Sequence, residues 1–103
     1  MIRLAHGRKL VIQEAGYPSA ARLGSSSAAQ ATFVRDVFRA WNRHPRAIPF
    51  LSFFALFDQR GRPCSPSAKT DAAAFFCTLG LHRSDGSDKP AWDAFRAGVR
   101  SVR

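Results

Sequence analysis

Leu10-Val11-Ile12-Gln13-Glu14-Ala15-Gly16-Tyr17-Pro18-Ser19 is the stretch on which the fold turns. It opens with an unbroken aliphatic run, bounded by Gly7-Arg8-Lys9 before and by Gly16-Tyr17-Pro18 after. A half-exposed antiparallel strand alternates apolar and polar residues. A short continuous run fits a strand covered on both faces, as in a parallel sheet. Parallel strands need a long crossover between them, usually a helix.

The next segments supply that crossover. After a small-residue loop from Ala20 to Ser26, Ser27-Ala28-Ala29-Gln30 has the S-x-x-Q form of a capping box. Ala31, Val34, Phe38 and Trp41 then follow as one apolar stripe at helical spacing, and His44-Pro45 stops the run. The spacing predicts a helix over 28–43. Ile48-Pro49-Phe50-Leu51-Ser52-Phe53-Phe54 reads as a second strand, with Pro49 tolerable at its start. Residues 55–69, with Gly61, Pro63 and Pro66, read as a long loop, and Asp71 to Cys77 as a short helical turn. Gly80-Leu81-His82-Arg83 leads into the polar turn Ser84-Asp85-Gly86-Ser87-Asp88. A last helix starts near Pro90, with Trp92, Phe95, Val99 and Val102 as its apolar stripe. The expected fold class is α/β: two successive βα units in one partial domain over 1–103, a parallel strand pair covered by helices.

Two strands do not complete such a sheet. Each keeps an unpaired edge, and both helix stripes call for more sheet to cover. The pattern therefore predicts either a larger body or association between copies.

Composition narrows the alternatives. At 46% hydrophobic and 12% aromatic, this is a folding sequence, and no apolar run approaches the ~18–20 residues of a membrane span. The start lacks an apolar leader region, so the stretch as it stands reads as unexported. The net charge of +9 comes mostly from Arg, thirteen of sixteen cations. Arg35, Arg39 and Arg43 form one helical stripe, which reads as solvated surface. The aromatics lie at core spacing and do not interleave with the cations, which argues against nucleic acid as the partner. Cys64 and Cys77 lack CxxC spacing and a neighbouring His, so two reduced thiols are expected. His6, His44 and His82 are scattered and form no ligand set, so neither metal nor cofactor is expected. Ser25 to Ser27 form no G-x-S-x-G elbow.

Three ordered segments carry a resemblance. Leu10 to Ser19 resembles the seventh strand of the large clan of retaining glycoside hydrolases built on the (β/α)8, or TIM, barrel. There an apolar strand ends in Glu and Gly follows closely. Phe50-Leu51-Ser52-Phe53-Phe54-Ala55-Leu56-Phe57-Asp58 is similar to the clan's eighth strand, with its aromatic end and following Asp. Gly80-Leu81, Asp85-Gly86 and Lys89-Pro90-Ala91-Trp92 resemble the turn that enters the last barrel helix. The resemblance implies two βα units of an incomplete barrel, about two-fifths of one of ~250 residues.

It also implies site residues. Barrel active sites lie at the C-terminal ends of the strands. Glu14, the sole Glu, would be the nucleophile of a retaining glycosidase, attacking the anomeric carbon while a second carboxyl ~5–5.5 Å away protonates the leaving oxygen. Phe53 stands where much of the clan has a sugar-stacking Trp; Phe53 or Phe54 would offer an apolar platform, the other being packing. Tyr17 either reaches over Glu14 or packs on Pro18. Asp58 either meets substrate or fixes the loop that follows its strand. The implied ligand is carbohydrate.

The clan's general acid sits in an Asn-Glu pair at the end of the fourth strand. No such pair occurs here; the sole Asn is Asn42, inside the helix. A nucleophile without its acid and without a walled cleft gives negligible turnover, so this stretch alone is expected to be inactive. The alternatives are a self-associating small protein and a basic module that binds nucleic acid or another polyanion.

Overall fold

The computed structural model describes residues 2–65 and 69–102; the part of the expected loop at 66–68 lies outside them. In order, the regular elements are β1 (Val11–Ala15), α1 (Ser27–Arg43), β2 (Phe50–Phe53), β3 (Ala55–Phe57), α2 (Asp71–Phe76), β4 (Gly80–His82) and α3 (Pro90–Ser101). Three single 3-10 turns, Arg3–Ala5, Ala21–Leu23 and Arg62–Cys64, punctuate the loops.

β1 and β2 pair in parallel with α1 as the crossover, as the aliphatic run predicted. The expectation that β1 is covered on both faces fails within this chain. Only Ala15 of the strand is buried, and Val11 is 61% exposed. The aliphatic residues are present, but nothing here lies against their outer side. A second parallel pair, β3 with β4, was not predicted. The sequence pattern reads Ala55–Phe57 as loop and Gly80–His82 as a lead into a turn. Both are three-residue strands, too short to show periodicity. The close approach of β4 explains Gly80, where a Cβ would collide with the backbone of Phe57 and Asp58.

The core lies between α1, α3 and the helix-facing side of the strands. Ala31, Val34, Phe38, Leu81, Ala91 and Ala94 are buried there, with Leu51, Phe53 and Phe95 packed against them. Phe38 stacks on Phe53 with ring centroids 5.8 Å apart, and Phe95 meets Phe53 edge-on at 5.5 Å. The apolar stripe of α1 is the one the sequence predicted. That of α3 is displaced by one residue: the buried face is Ala91, Ala94 and Gly98, and Val99 is 51% exposed. Small residues let α3 come closest to α1, so close that a Cβ on Gly98 would run into the Phe38 ring. The bulky Trp92 and Phe95 flank this contact. At the far end Asn42 Nδ2 donates to Ser101 Oγ at 2.9 Å, tying the helix C-termini together.

Helix α1 is capped one residue earlier than expected. Ser26, not Ser27, accepts from the Ala29 N–H, at 3.0 Å. Gln30 is thereby free of capping and turns inward. The two cysteines, expected to be reduced, form a disulfide with Cα atoms 5.5 Å apart. Their 13-residue separation resembles no motif; the chain's return through α2 is what brings them together. The radius of gyration is 14.9 Å, above the ~13 Å of a self-contained domain of ~100 residues. The molecule is more spread out than a closed fold of its length.

Candidate functional site

Glu14, read from sequence as the last residue of its strand, is the penultimate one, because β1 runs one place further, to Ala15. Its position is unusual in register. Ile12 pairs with Leu51 and Ala15 with Phe53, so Gln13 and Glu14 together oppose the single residue Ser52. This is a β-bulge, a device that bends a strand and re-aims a side chain and is frequent at barrel rims and beside active sites. Glu14 is exposed and, among the described residues, its carboxylate has no hydrogen-bond or ion-pair partner. An exposed, unpaired carboxylate at the C-terminal end of a parallel strand is chemically available.

The other predicted residues divide. Tyr17 stacks on Phe33 of α1, centroids 5.2 Å apart, and its hydroxyl has no partner among the described residues. Phe53 lies in the aromatic cluster with Phe38 and Phe95. Phe54, next along the chain, is half-exposed beside Gly16, two residues after Glu14. Phe54 is thus brought to the Glu14 end of β1, and Phe53 is turned toward the helices. Asp58 accepts from Lys89 Nζ at 2.7 Å and from the Gly80 N–H at 2.9 Å.

Two residues that the sequence reading did not assign to the site organise this end. Lys89 is 2% exposed, and its three donors all have acceptors: Asp58 Oδ1, Ser19 Oγ at 3.1 Å and the Thr78 carbonyl at 3.3 Å. Gln30, 1% exposed, sets its Nε2 among the carbonyls of Tyr17 (2.9 Å), Thr78 (3.2 Å) and Gly80 (3.1 Å). Three carbonyls around one atom fix it as the nitrogen, because an oxygen there would be repelled. Its Oε1 is buried and, among the described residues, unpartnered. Lys89 and Gln30 therefore clamp Tyr17 to Ser19, the segment that follows Glu14, onto the start of β4. The sequence marked Gln30 only as a capping residue and Lys89 only as part of the turn before the last helix.

His82 is buried against Trp92, ring centroids 4.4 Å apart, with Nδ1 3.1 Å from the Leu56 carbonyl, so Nδ1 carries the proton. Its Nε2 lies 3.4 Å from Asp88. This histidine is fully used in joining β3, β4 and the polar turn. Among the described residues no group of three or more His, Cys, Asp or Glu side chains converges to hold a metal ion. No helix of the described residues is long and apolar enough to cross a membrane.

Charge is distributed unevenly between the two ends. Glu14, Asp58, Asp71, Asp85, Asp88 and Asp93 all belong to the end where the strands finish and α3 begins. At the opposite end the Leu10 N–H bonds to the Ala47 carbonyl, bringing Arg8 and Lys9 alongside Arg46. Arg43 and Arg100 occupy the helix C-termini there, and none of these five has an acidic partner among the described residues.

No protein-family model and no curated protein matches the chain. Solved structures do. GH5_18 from Bifidobacterium longum subsp. infantis superposes with a TM-score of 0.69 and 22% identity over 92% of this chain and 20% of that one. GH5_18 from Streptomyces cattleya, in complex with GlcNAc, gives 0.66 and 21% over 89% and 20%. A GH5_18 variant from Bifidobacterium longum subsp. longum, in complex with Manβ1-4GlcNAc, gives 0.63 and 23% over 91% and 20%. The fold is thus that of part of a glycoside hydrolase barrel. The chain spans about a fifth of the length of these proteins, not the two-fifths expected, because they are longer than a bare barrel.

Proposed function

We propose that this chain is the seventh and eighth βα units of a retaining glycoside hydrolase barrel, with Glu14 as the nucleophile. The observation that supports it most is the placement of Glu14: an unpaired, exposed carboxylate on a bulge at the C-terminal end of a parallel strand. That is the barrel end where catalytic residues gather, and the chain's similarity to glycoside hydrolases covers nearly all of it.

In the mechanism this implies, the Glu14 carboxylate attacks the anomeric carbon as the leaving oxygen takes a proton from an acid on another strand. Water then releases the sugar from the ester. Phe54, at the same end, offers an apolar ring face to the sugar. Lys89 and Gln30 hold the segment after Glu14 still, so the carboxylate is positioned without being neutralised. The chain lacks the Asn-Glu pair that would carry the acid, and turnover by the chain alone is negligible.

The test is a chimera in which this sequence replaces the matched fifth of the Streptomyces cattleya GH5_18. Hydrolysis of an aryl glycoside is expected, falling by on the order of 10⁴ or more in Glu14→Gln. A folded chimera whose rate is indifferent to Glu14→Gln sinks the assignment. Glu14→Gln itself should leave stability within about 0.5 kcal/mol, as for other exposed, unpaired side chains.

The five unpaired cations at the opposite end favour a second reading, a non-catalytic polyanion-binding surface. It requires binding to single-stranded nucleic acid that weakens steeply with salt and is lost on replacing Arg8, Lys9 and Arg46 by Ala. Binding insensitive to those changes removes it.

A further inference from the structure

The Thr78 carbonyl is the point to which the segment after Glu14 is tied. The Ser19 N–H reaches it at 3.1 Å, the Ser19 hydroxyl at 3.4 Å, Gln30 Nε2 at 3.2 Å and Lys89 Nζ at 3.3 Å. Thr78 itself is held unevenly. On its C-terminal side Leu79 and Gly80 are buried where β4 begins. On its N-terminal side it belongs to α2: its hydroxyl donates to the Ala74 carbonyl at 2.7 Å, and its N–H to the Phe75 carbonyl at 3.4 Å. Helix α2 has six residues and buries none of them. A helix so short does not stand alone in water, where about 12–15 residues give only marginal stability. It is held by the exposed Arg22–Asp71 pair and by the disulfide that ties Cys77, the residue next to Thr78, to Cys64 in the turn after β3. An exposed ion pair contributes little. The disulfide is therefore the main tie on that side of the carbonyl.

We propose that the Cys64–Cys77 disulfide is a redox control on the segment that carries Glu14. Oxidised, it fixes the Thr78 carbonyl as the anchor of Tyr17 to Ser19. Reduced, it lets α2 loosen and the carbonyl move, Ser19 loses its partner, and Glu14 is no longer held in position. This rests on the nucleophile reading above and adds a regulation of that site. The sulfurs are within reach of a reductant: both cysteines are half-buried, and Cys77 lines a surface hollow of about 430 Å³ together with Gln59, Thr70 and Phe76. The reductant is a dithiol. One of its thiolates attacks a cysteine sulfur, forming a mixed disulfide and freeing the other cysteine. Its second thiolate then displaces the first cysteine and leaves as the oxidised dithiol. Two electrons and two protons pass from the dithiol to the cysteine pair.

The experiment compares the chain with and without dithiothreitol by backbone ¹⁵N relaxation, which reads motion within the folded molecule. On reduction the order parameter of the Ser19 N–H is expected to fall from about 0.85 to below about 0.6. That of Phe54, whose N–H donates to the Ala15 carbonyl across β1 and β2, should stay at about 0.85. Cys64→Ser with Cys77→Ser should reproduce the reduced values and ignore the reagent. In the chimera described above, assayed well below its melting temperature, reduction should lower kcat by about tenfold or more and change KM by less than about twofold. Reoxidation should restore the rate, and the doubly substituted chimera should keep the low rate in both conditions. The inference is overturned if Ser19 stays rigid in a chain that alkylation shows to be reduced, or if Ser19 and Phe54 loosen together. It is also overturned if Ser19 responds and the chimera turns over equally in both states. A chimera indifferent to Glu14→Gln, with Ser19 still responding in the free chain, removes the nucleophile assignment instead and leaves the link between disulfide and segment standing.

Discussion

Lys89 and Asp58 meet at 2.7 Å across 31 residues of sequence, with the ammonium buried and the carboxylate nearly so. The pair joins the residue after β3 to the one before α3. Removing one partner strands the other as a buried charge, at a cost of about 3–5 kcal/mol. Lys89→Met should lower the unfolding free energy measured in urea by that amount, and Lys89→Met combined with Asp58→Leu should recover part of the loss. A single variant as stable as the parent means that the ammonium is not buried in solution.

Alkylation of the native, unreduced chain should label neither cysteine, and reduction should expose both. The bond closes a loop of 13-residue separation, for which the chain-entropy model gives about 3 kcal/mol. Cys64→Ser with Cys77→Ser should show a correspondingly lower melting temperature. Two thiols that label at once would restore the reading made from spacing.

Gly98→Ala puts a methyl into the Phe38 ring. The helix must retreat from its partner, and overpacking of this kind costs about 1–3 kcal/mol. The same substitution would stabilise a free helix, so the sign of the change in melting temperature reports directly on the α1–α3 contact.

Asp85 is fully exposed, yet its carboxyl titrates below the ordinary value of 3.8. The Ser87 hydroxyl and then the Ser87 N–H donate to the ionised form. With the folded pKa depressed, this turn adds its stability above the unfolded value, and the contribution fades as pH falls through the folded one. Carboxyl titration by NMR should show Asp85 among the lowest aspartates, and Ser87→Ala should move it upward. An unchanged Asp85 in that variant would remove Ser87 as the cause.

What could be read in the sequence was what is local. The aliphatic run at Leu10 to Ile12, the stripe from Ala31 to Trp41, and Pro90 as a helix start each declare themselves within one or two turns of chain. The three-residue strands β3 and β4 have no period to detect, and each exists because the other lies beside it. Gln30 read as a cap because its spacing from Ser27 is right. Its actual partners at Tyr17, Thr78 and Gly80 depend on three returns of the chain to one place. The bulge at Gln13 and Glu14 is a property of two strands together, so the environment of Glu14 could not be read from the strand that carries it.

The Cys64–Cys77 bond brings the two ends of the α2 excursion within a single side-chain contact. A stretch whose ends are fixed together can change length or composition while β4 keeps its place beside β3. The segment is then free to vary between two fixed ends, held otherwise by the exposed Arg22–Asp71 pair. Insertions or deletions placed between the two cysteines should leave the β3–β4 pairing in place. Laboratory variation aimed at new ligands would best begin there.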